Sequence, residues 1–170
     1  MLNAFRKSGT RKRIARALEG ALVSRAREPV FYATLGVPDT IDGRFDLVTL
    51  HAWLVLARLR EAGDLPLSQA LTDTVFVGFD EALRDMGSGD MGIARRLKAM
   101  ANAFYGRLAA YEAATDEAMM AEALTRNVYR GATGIEREAA ALARYVFAAR
   151  NSLQASKLSR GEADFGALPG

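Results

Sequence analysis

Residues 42–63, DGRFDLVTLHAWLVLARLREAG, decide the fold. Phe45, Val48, Ala52, Leu56 and Leu59 recur at spacings of three and four, the repeat of one helix face. Leu47, Leu50, Trp53 and Leu54 cover much of the remaining circumference. A helix that is apolar all round has to be enclosed by others, so the stretch predicts the central buried helix of an all-α, single-domain bundle. Asp42 is placed to cap its start, and Gly63 to close it in a left-handed conformation. Trp53 stands at its middle; if the indole is buried, alanine there costs ~3–5 kcal/mol.

Working outward toward the N-terminus, Tyr32 to Asp42 carries Gly36, Pro38 and Asp39 and reads as a loop. Pro29 ends a first helix over Thr10 to Arg27, where Ile14, Leu18 and Leu22 form an apolar stripe with arginines opposite. Toward the C-terminus, a third helix from Ser68 to Met86 presents Leu71, Val75, Phe76, Phe79 and Leu83. A fourth, Asp90 to Ala114, puts Phe104 and Tyr111 on one face with Leu97, Met100 and Leu108. Gly78 and Gly106 interrupt these two helices at ~1 kcal/mol each relative to alanine, which predicts a close neighbour at both. Thr115, with Asp116 and Glu117, starts a fifth helix that Gly131 ends. Thr133 and Glu136 stand in capping-box spacing before a sixth, running through Leu142, Val146 and Phe147 to Leu153. Gly161, Gly166, Pro169 and Gly170 then break any period. The chain divides into a basic amphipathic N-terminal helix or arm (1–28), a helical domain of the remaining helices, about six in all (29–156), and a flexible tail (157–170).

A chain of 170 residues is long enough for one real core. The Leu47–Leu59 run is broken by Thr49, His51 and Arg58 and falls short of the ~18 apolar residues a membrane span needs. Cysteine is absent, which excludes disulfides, thiolate metal sites and cysteine nucleophiles. Residues 1–27 hold eight cations and one carboxylate, Glu19, while the rest of the chain is mildly acidic. Such an arm points to an anionic partner, whether a lipid surface, RNA or an acidic protein face, or else is a solvated helix face.

Enzyme chemistry finds little support. Gly87, Gly89 and Gly92 spell G-x-G-x-x-G, but the preceding segment is helical and no parallel strand follows, so a helix–helix turn is the better reading. His51 is the single histidine, flanked by apolar residues, and reads as a core or interface histidine rather than a base or metal ligand. Ser24, Ser68 and Ser88 have no histidine–carboxylate partner in the sequence pattern. Phe104, Tyr105 and Tyr111 beside Lys98 and Arg107 could stack bases, but their spacing favours a core.

Two stretches resemble the ubiquinol–cytochrome c reductase assembly chaperone family, a bacterial relative of its mitochondrial members. One is Phe31-Tyr-Ala-Thr-Leu-Gly-Val-Pro-Asp-Thr-Ile-Asp-Gly-Arg-Phe-Asp46, leading into Leu50-His-Ala-Trp53 and Arg58-Leu59. The other is Phe79-Asp-Glu-Ala-Leu-Arg-Asp-Met-Gly87, followed by Gly89-Asp90, Lys98-Ala-Met100 and Ala103-Phe-Tyr-Gly-Arg107. The resemblance implies that residues 29–156 are a helical chaperone domain without a catalytic centre or cofactor. It implies binding of newly made cytochrome b during assembly of the cytochrome bc complex, and in mitochondrial relatives a small helical partner near the ribosomal exit. The expected location is cytoplasmic and peripheral to the inner membrane for a bacterial chain, or the matrix side for a mitochondrial one. The arginine-rich start also resembles a transit peptide.

Matching the motifs gives Asp39, Thr40, Asp42, Arg84, Lys98 and Arg107 as candidate partner contacts. Each also has a plain structural role open to it: Asp42 as a cap, Arg84 as the partner of Asp80 four residues earlier. Arg6, Lys7, Arg11, Lys12, Arg13 and Arg16 are the candidate contacts to an anionic membrane surface or the ribosome. Met86, Met91, Met100, Met119 and Met120 suit either a core or an adaptable client surface. The alternative function is an RNA- or ribosome-binding helical module using the basic arm; no DNA partner is expected.

Overall fold

Enclosure of residues 45–59 organises the molecule. The computed structural model describes residues 2–87 and 89–170, with the backbone alone at 2–6 and 90. In it α3 (Ile41–Glu61) touches α1 (Leu2–Ala26), α4 (Leu65–Asp85), α5 (Asp90–Ala113) and α7 (Glu136–Leu153). A five-residue α2 (Pro29–Ala33), α6 (Glu117–Asn127) and a 3-10 turn (Leu158–Arg160) complete the chain. No strand occurs among the described residues, and the all-α single-domain bundle expected from the central segment is the architecture found. Trp53 is 1% exposed, and its Nε1–H donates to Glu112 Oε2 at 3.0 Å, an oxygen that Arg60 also reaches at 3.0 Å. The indole is thus buried without orphaning its one polar atom.

The ends of the elements differ from expectation in instructive ways. Thr40, not Asp42, caps α3: its hydroxyl accepts from the Gly43 N–H at 3.1 Å, while Asp42 sits inside the first turn. Gly43 follows from that geometry, since a Cβ there would run into the Pro38 carbonyl oxygen. The expected loop loses only its first two residues, Tyr32 and Ala33, to α2, because Pro29 at the first turn favours a helix start as well as ending the previous one. Asp116 rather than Thr115 caps α6, accepting from the Met119 N–H at 2.8 Å. The Thr133–Glu136 capping box does not form; Ile135 is the boundary residue, and Glu136 Oε1 accepts from the Gly134 N–H instead. Gly106 has nothing within 4 Å of where a Cβ would be, so no close neighbour explains it, whereas at Gly78 a Cβ would lie 3.2 Å from the Glu19 carboxylate of α1, a side-chain neighbour of the kind expected.

Segments near both ends of the chain pack into the core. Ala15, Leu18, Leu22 and Ala26 of α1 are fully buried, so the described part of residues 1–28 packs into the bundle through the second half of α1 and is not a separate arm. The segment 157–170, expected to be flexible, packs as a strap: Leu158 and Phe165 are buried, and Arg25 Nη2 donates to the Gly166 and Ala167 carbonyls at 2.7 Å each. Glycines that look like disorder signals are needed for packing here, because a Cβ on Gly161 would lie 2.7 Å from Ala17 Cβ and one on Gly166 would strike Ser152 Oγ.

Candidate partner-binding groove

The start of α3 and the end of α4 meet beside α1, and the side chains left facing outward there form an apolar groove of ≈ 350 Å³. Ile41, Phe45 and Val48 come from α3, Phe79 and Leu83 from α4, Met86 from its C-cap, Val23 from α1 and Met100 from α5. Its floor is aromatic: the Phe45 and Phe79 rings lie 5.1 Å apart, and Phe76 packs edge-on against Phe79 and Phe104. Ile41 and Met86 remain 58% and 42% exposed at the lip, apolar surface that the described residues leave uncovered.

Charges frame this apolar strip. Arg27, Arg44, Glu19 and Asp85 stand along it. Arg44 Nε donates to Asp39 Oδ1 at 2.7 Å, which holds the Asp39 carboxyl below the usual carboxylate range. Glu19 is half-buried over Gly78, and desolvation raises its pKa against the pull of Arg27.

Beneath the floor lies a buried ionic cluster. Asp46 is fully buried; Arg107 Nη2 is 2.8 Å from its Oδ1, off the line of a good hydrogen bond, and Arg130 Nη2 donates to its Oδ2 at 3.1 Å. Arg130 also lies 3.7 Å from Asp42, and it is the one described non-glycine residue with positive φ, at 54°. That backbone strain is tolerated where it lets the guanidinium tie the α6–α7 turn to the start of α3. Burial pushes the Asp46 carboxyl up to about 6, desolvation outweighing the two guanidiniums. The Arg107 guanidinium then lies 5.4 Å from the Phe45 ring centre, so the cluster supports the groove floor from below.

His51 belongs to neither feature. It is completely buried, with Nδ1 2.7 Å from the Leu47 carbonyl and Nε2 2.8 Å from Tyr145 Oη. A carbonyl only accepts, so Nδ1 carries the proton and Nε2 accepts from the tyrosine, whose oxygen in turn accepts from Arg25 Nε at 2.9 Å. Every ring nitrogen is satisfied, desolvation pushes the imidazole pKa down to about 4, and no solvent path reaches it. The ring is a core histidine. No group of three or more potential metal ligands occurs among the described residues.

Comparison with known proteins settles the family. The model of the ubiquinol-cytochrome C chaperone family matches residues 33–160. The chain belongs to that family. The Xenopus laevis ubiquinol-cytochrome-c reductase complex assembly factor 1 is 23% identical over 128 residues, covering 73% of this chain and 64% of the relative. The chain therefore spans a little under two thirds of that relative's length. The crystal structure of the Cbp3 homolog from Brucella abortus matches with a TM-score of 0.81 at 35% identity, over 98% of this chain and 96% of that one. This is a family of chaperones and assembly factors, not of enzymes.

The two motif stretches that resemble the chaperone family converge on the groove. Ile41, Arg44 and Phe45 come from the first, Phe79, Leu83, Asp85, Met86 and Met100 from the second. The polar positions expected from the same motifs are spread more widely. Asp42 and Arg107 reach the Asp46 cluster, and Asp39 reaches the rim through Arg44. Thr40 is spent on its cap. Arg84 pairs with Asp80 at 2.8 Å on an exposed face of α4, and Lys98 is exposed on α5; neither lines the groove. Among the basic positions of α1, Lys7, Lys12, Arg13 and Arg16 are exposed and Arg11 is half-buried, while the side chain of Arg6 lies outside the described residues, as does Ser88. Of the methionines, Met86, Met91 and Met119 are exposed and Met120 is core. Sequence reasoning passed over Asp46, whose signal was a carboxylate inside the apolar central helix. Arg130 had no signal, since its partner is 84 positions away.

Proposed function

We propose that this chaperone holds newly made cytochrome b for assembly into the ubiquinol–cytochrome c reductase complex, seating an apolar segment of the client in the groove between α1, α3 and α4. The observation that carries the reading is the convergence of both motif stretches on one uncovered apolar strip. An α-helix is about 10 Å across and presents apolar side chains at i, i+3, i+4 and i+7, the pattern that lays into a strip of this kind. Met86 and Met100 line it with unbranched side chains that repack around imprecise partners. The Asp46 cluster supports the same reading as the brace that keeps Phe45 in place without a client. Of the motif-matched positions, Asp39 through Arg44, Asp42 through Arg130 and Arg107 through Asp46 act by fixing the groove, and Arg84 and Lys98 offer outer polar contacts.

Deleting the gene and measuring membrane haem b, together with co-purification of tagged protein and nascent cytochrome b, tests this. Reduced haem b and recovery of the client are expected. Normal haem b with no association would overturn the proposal, and steeply salt-dependent RNA retention without client would favour the RNA- or ribosome-binding module instead.

A further inference from the structure

We propose that the outward face of α1, with the 3-10 turn packed beside it, docks on an anionic phospholipid bilayer. Residues 2–18 contain no Asp or Glu, so nothing along that stretch neutralises its cations. Lys7, Lys12, Arg13 and Arg16 are exposed and Arg11 half-buried. By contrast, Arg44, Arg60, Arg107, Arg130 and Arg150 each meet a carboxylate, and exposed Arg95, Arg96, Arg137 and Arg144, which form no ion pair among the described residues, are divided between α5 and α7 instead of following one another along a single helix. Among the described residues none of these five α1 cations forms an ion pair. The 3-10 turn adds exposed Lys157 and Arg160, and the Gly161–Ala17 contact fixes it alongside. The carboxylates nearby are Asp64, committed to capping α4 through the Leu67 N–H, and Glu162 and Asp164 beyond the turn.

Two further features select a bilayer over a nucleic acid. Lys7, Arg11, Ile14 and Leu67 line one shallow hollow together with the capping Asp64, and Leu65, which follows Asp64 at the first turn of α4, is 64% exposed. Cations beside an uncovered apolar tip suit the headgroup boundary. Residues 7–27 contain no aromatic side chain, whereas single-stranded RNA is held by aromatic stacking. The surface is independent of the client reading, yet the two are compatible: α1 also supplies Val23 and Arg27 to the groove, so a chain lying on α1 keeps that groove close to the membrane.

Vesicle co-sedimentation of the intact chain tests the proposal, using phosphatidylcholine vesicles with and without phosphatidylglycerol, and poly(U) RNA as competitor. Binding only to the phosphatidylglycerol vesicles, weakened by salt, is expected. Each cation contributes a factor of about five, so replacing Lys7, Lys12, Arg13 and Arg16 together by Gln weakens partitioning at least about 100-fold. The melting curve should not move, because all four side chains are exposed. A charge-matched control with Gln at Arg95, Arg96, Arg137 and Arg144, also exposed, retains most of the binding. No phosphatidylglycerol-dependent sedimentation, equal loss in both variants, or displacement from vesicles by the RNA would each overturn the assignment. No client is present in this assay, so its failure leaves the cytochrome b reading untouched.

Discussion

Replacing Asp46 by leucine tests whether the buried cluster beneath the groove is a coupled unit. The carboxylate is fully buried, and its partners differ in exposure: the Arg107 side chain is 13% exposed and that of Arg130 48%. Without the carboxylate, Arg130 can turn to water, but Arg107 keeps a buried charge with no counterion, which costs about 3–5 kcal/mol. The double variant Asp46→Leu/Arg107→Met removes both charges and should recover at least about 2 kcal/mol of that loss. Urea unfolding followed by circular dichroism on wild type, both single variants and the double variant gives the coupling directly. A pH arm adds a second readout. The Asp46 pKa is raised by folding from 3.8 to about 6, so the native state takes up a proton that the unfolded state does not. The associated stability is fully present below pH 3.8 and lost as pH rises through about 6. Between pH 7 and 4, wild type should therefore gain about 2 kcal/mol relative to Asp46→Asn. A single-variant cost under about 1 kcal/mol, or strict additivity in the double variant, would refute the coupling.

Other consequences follow from single residues. His51 is the only histidine, so its imidazole nitrogens give one unambiguous NMR signature; it should stay neutral with the proton on Nδ1 down to about pH 5, and protonation near pH 6.5 would mean the ring is not enclosed. Because its pKa is depressed, its contribution is present above pH 6.5 and lost as pH falls through about 4, opposite in sign to that of Asp46. Gly106→Ala should raise stability by about 1 kcal/mol in urea titrations, since a methyl meets open space in mid-helix, whereas Gly43→Ala should lower it by more than that through the Pro38 carbonyl. Trp53→Ala should cost about 3–5 kcal/mol by the same measurement, and a loss below about 1 would show that the indole is not the centre of the core.

The helices were legible because their apolar periodicity is local: α3, α4 and α5 lie within a few residues of where Phe45–Leu59, Leu71–Leu83 and Leu97–Tyr111 put them. What the sequence hid was long-range. Whether Thr40 or Asp42 caps α3 depends on loop geometry, and both are good capping residues. The strap at 157–170 carries glycines for contact with Ala17 and Ser152, which in sequence cannot be told from glycines of a mobile tail. Arg25 counted toward the basic arm, yet it turns inward to Tyr145 and the strap carbonyls. The groove was half legible: its motifs were visible, but their convergence was not, and the polar residues that stood out in them mostly brace the site while Ile41, Phe79 and Met86 line it.

Site-directed photo-cross-linking in membranes making cytochrome b addresses the groove itself. A benzophenone side chain at Ile41 or Met86, both exposed at the lip, should capture cytochrome b, and the same probe at exposed Glu122 on α6 should not. Capture from Glu122 alone, or equal capture from all three positions, would contradict the claim that this strip is where the client sits.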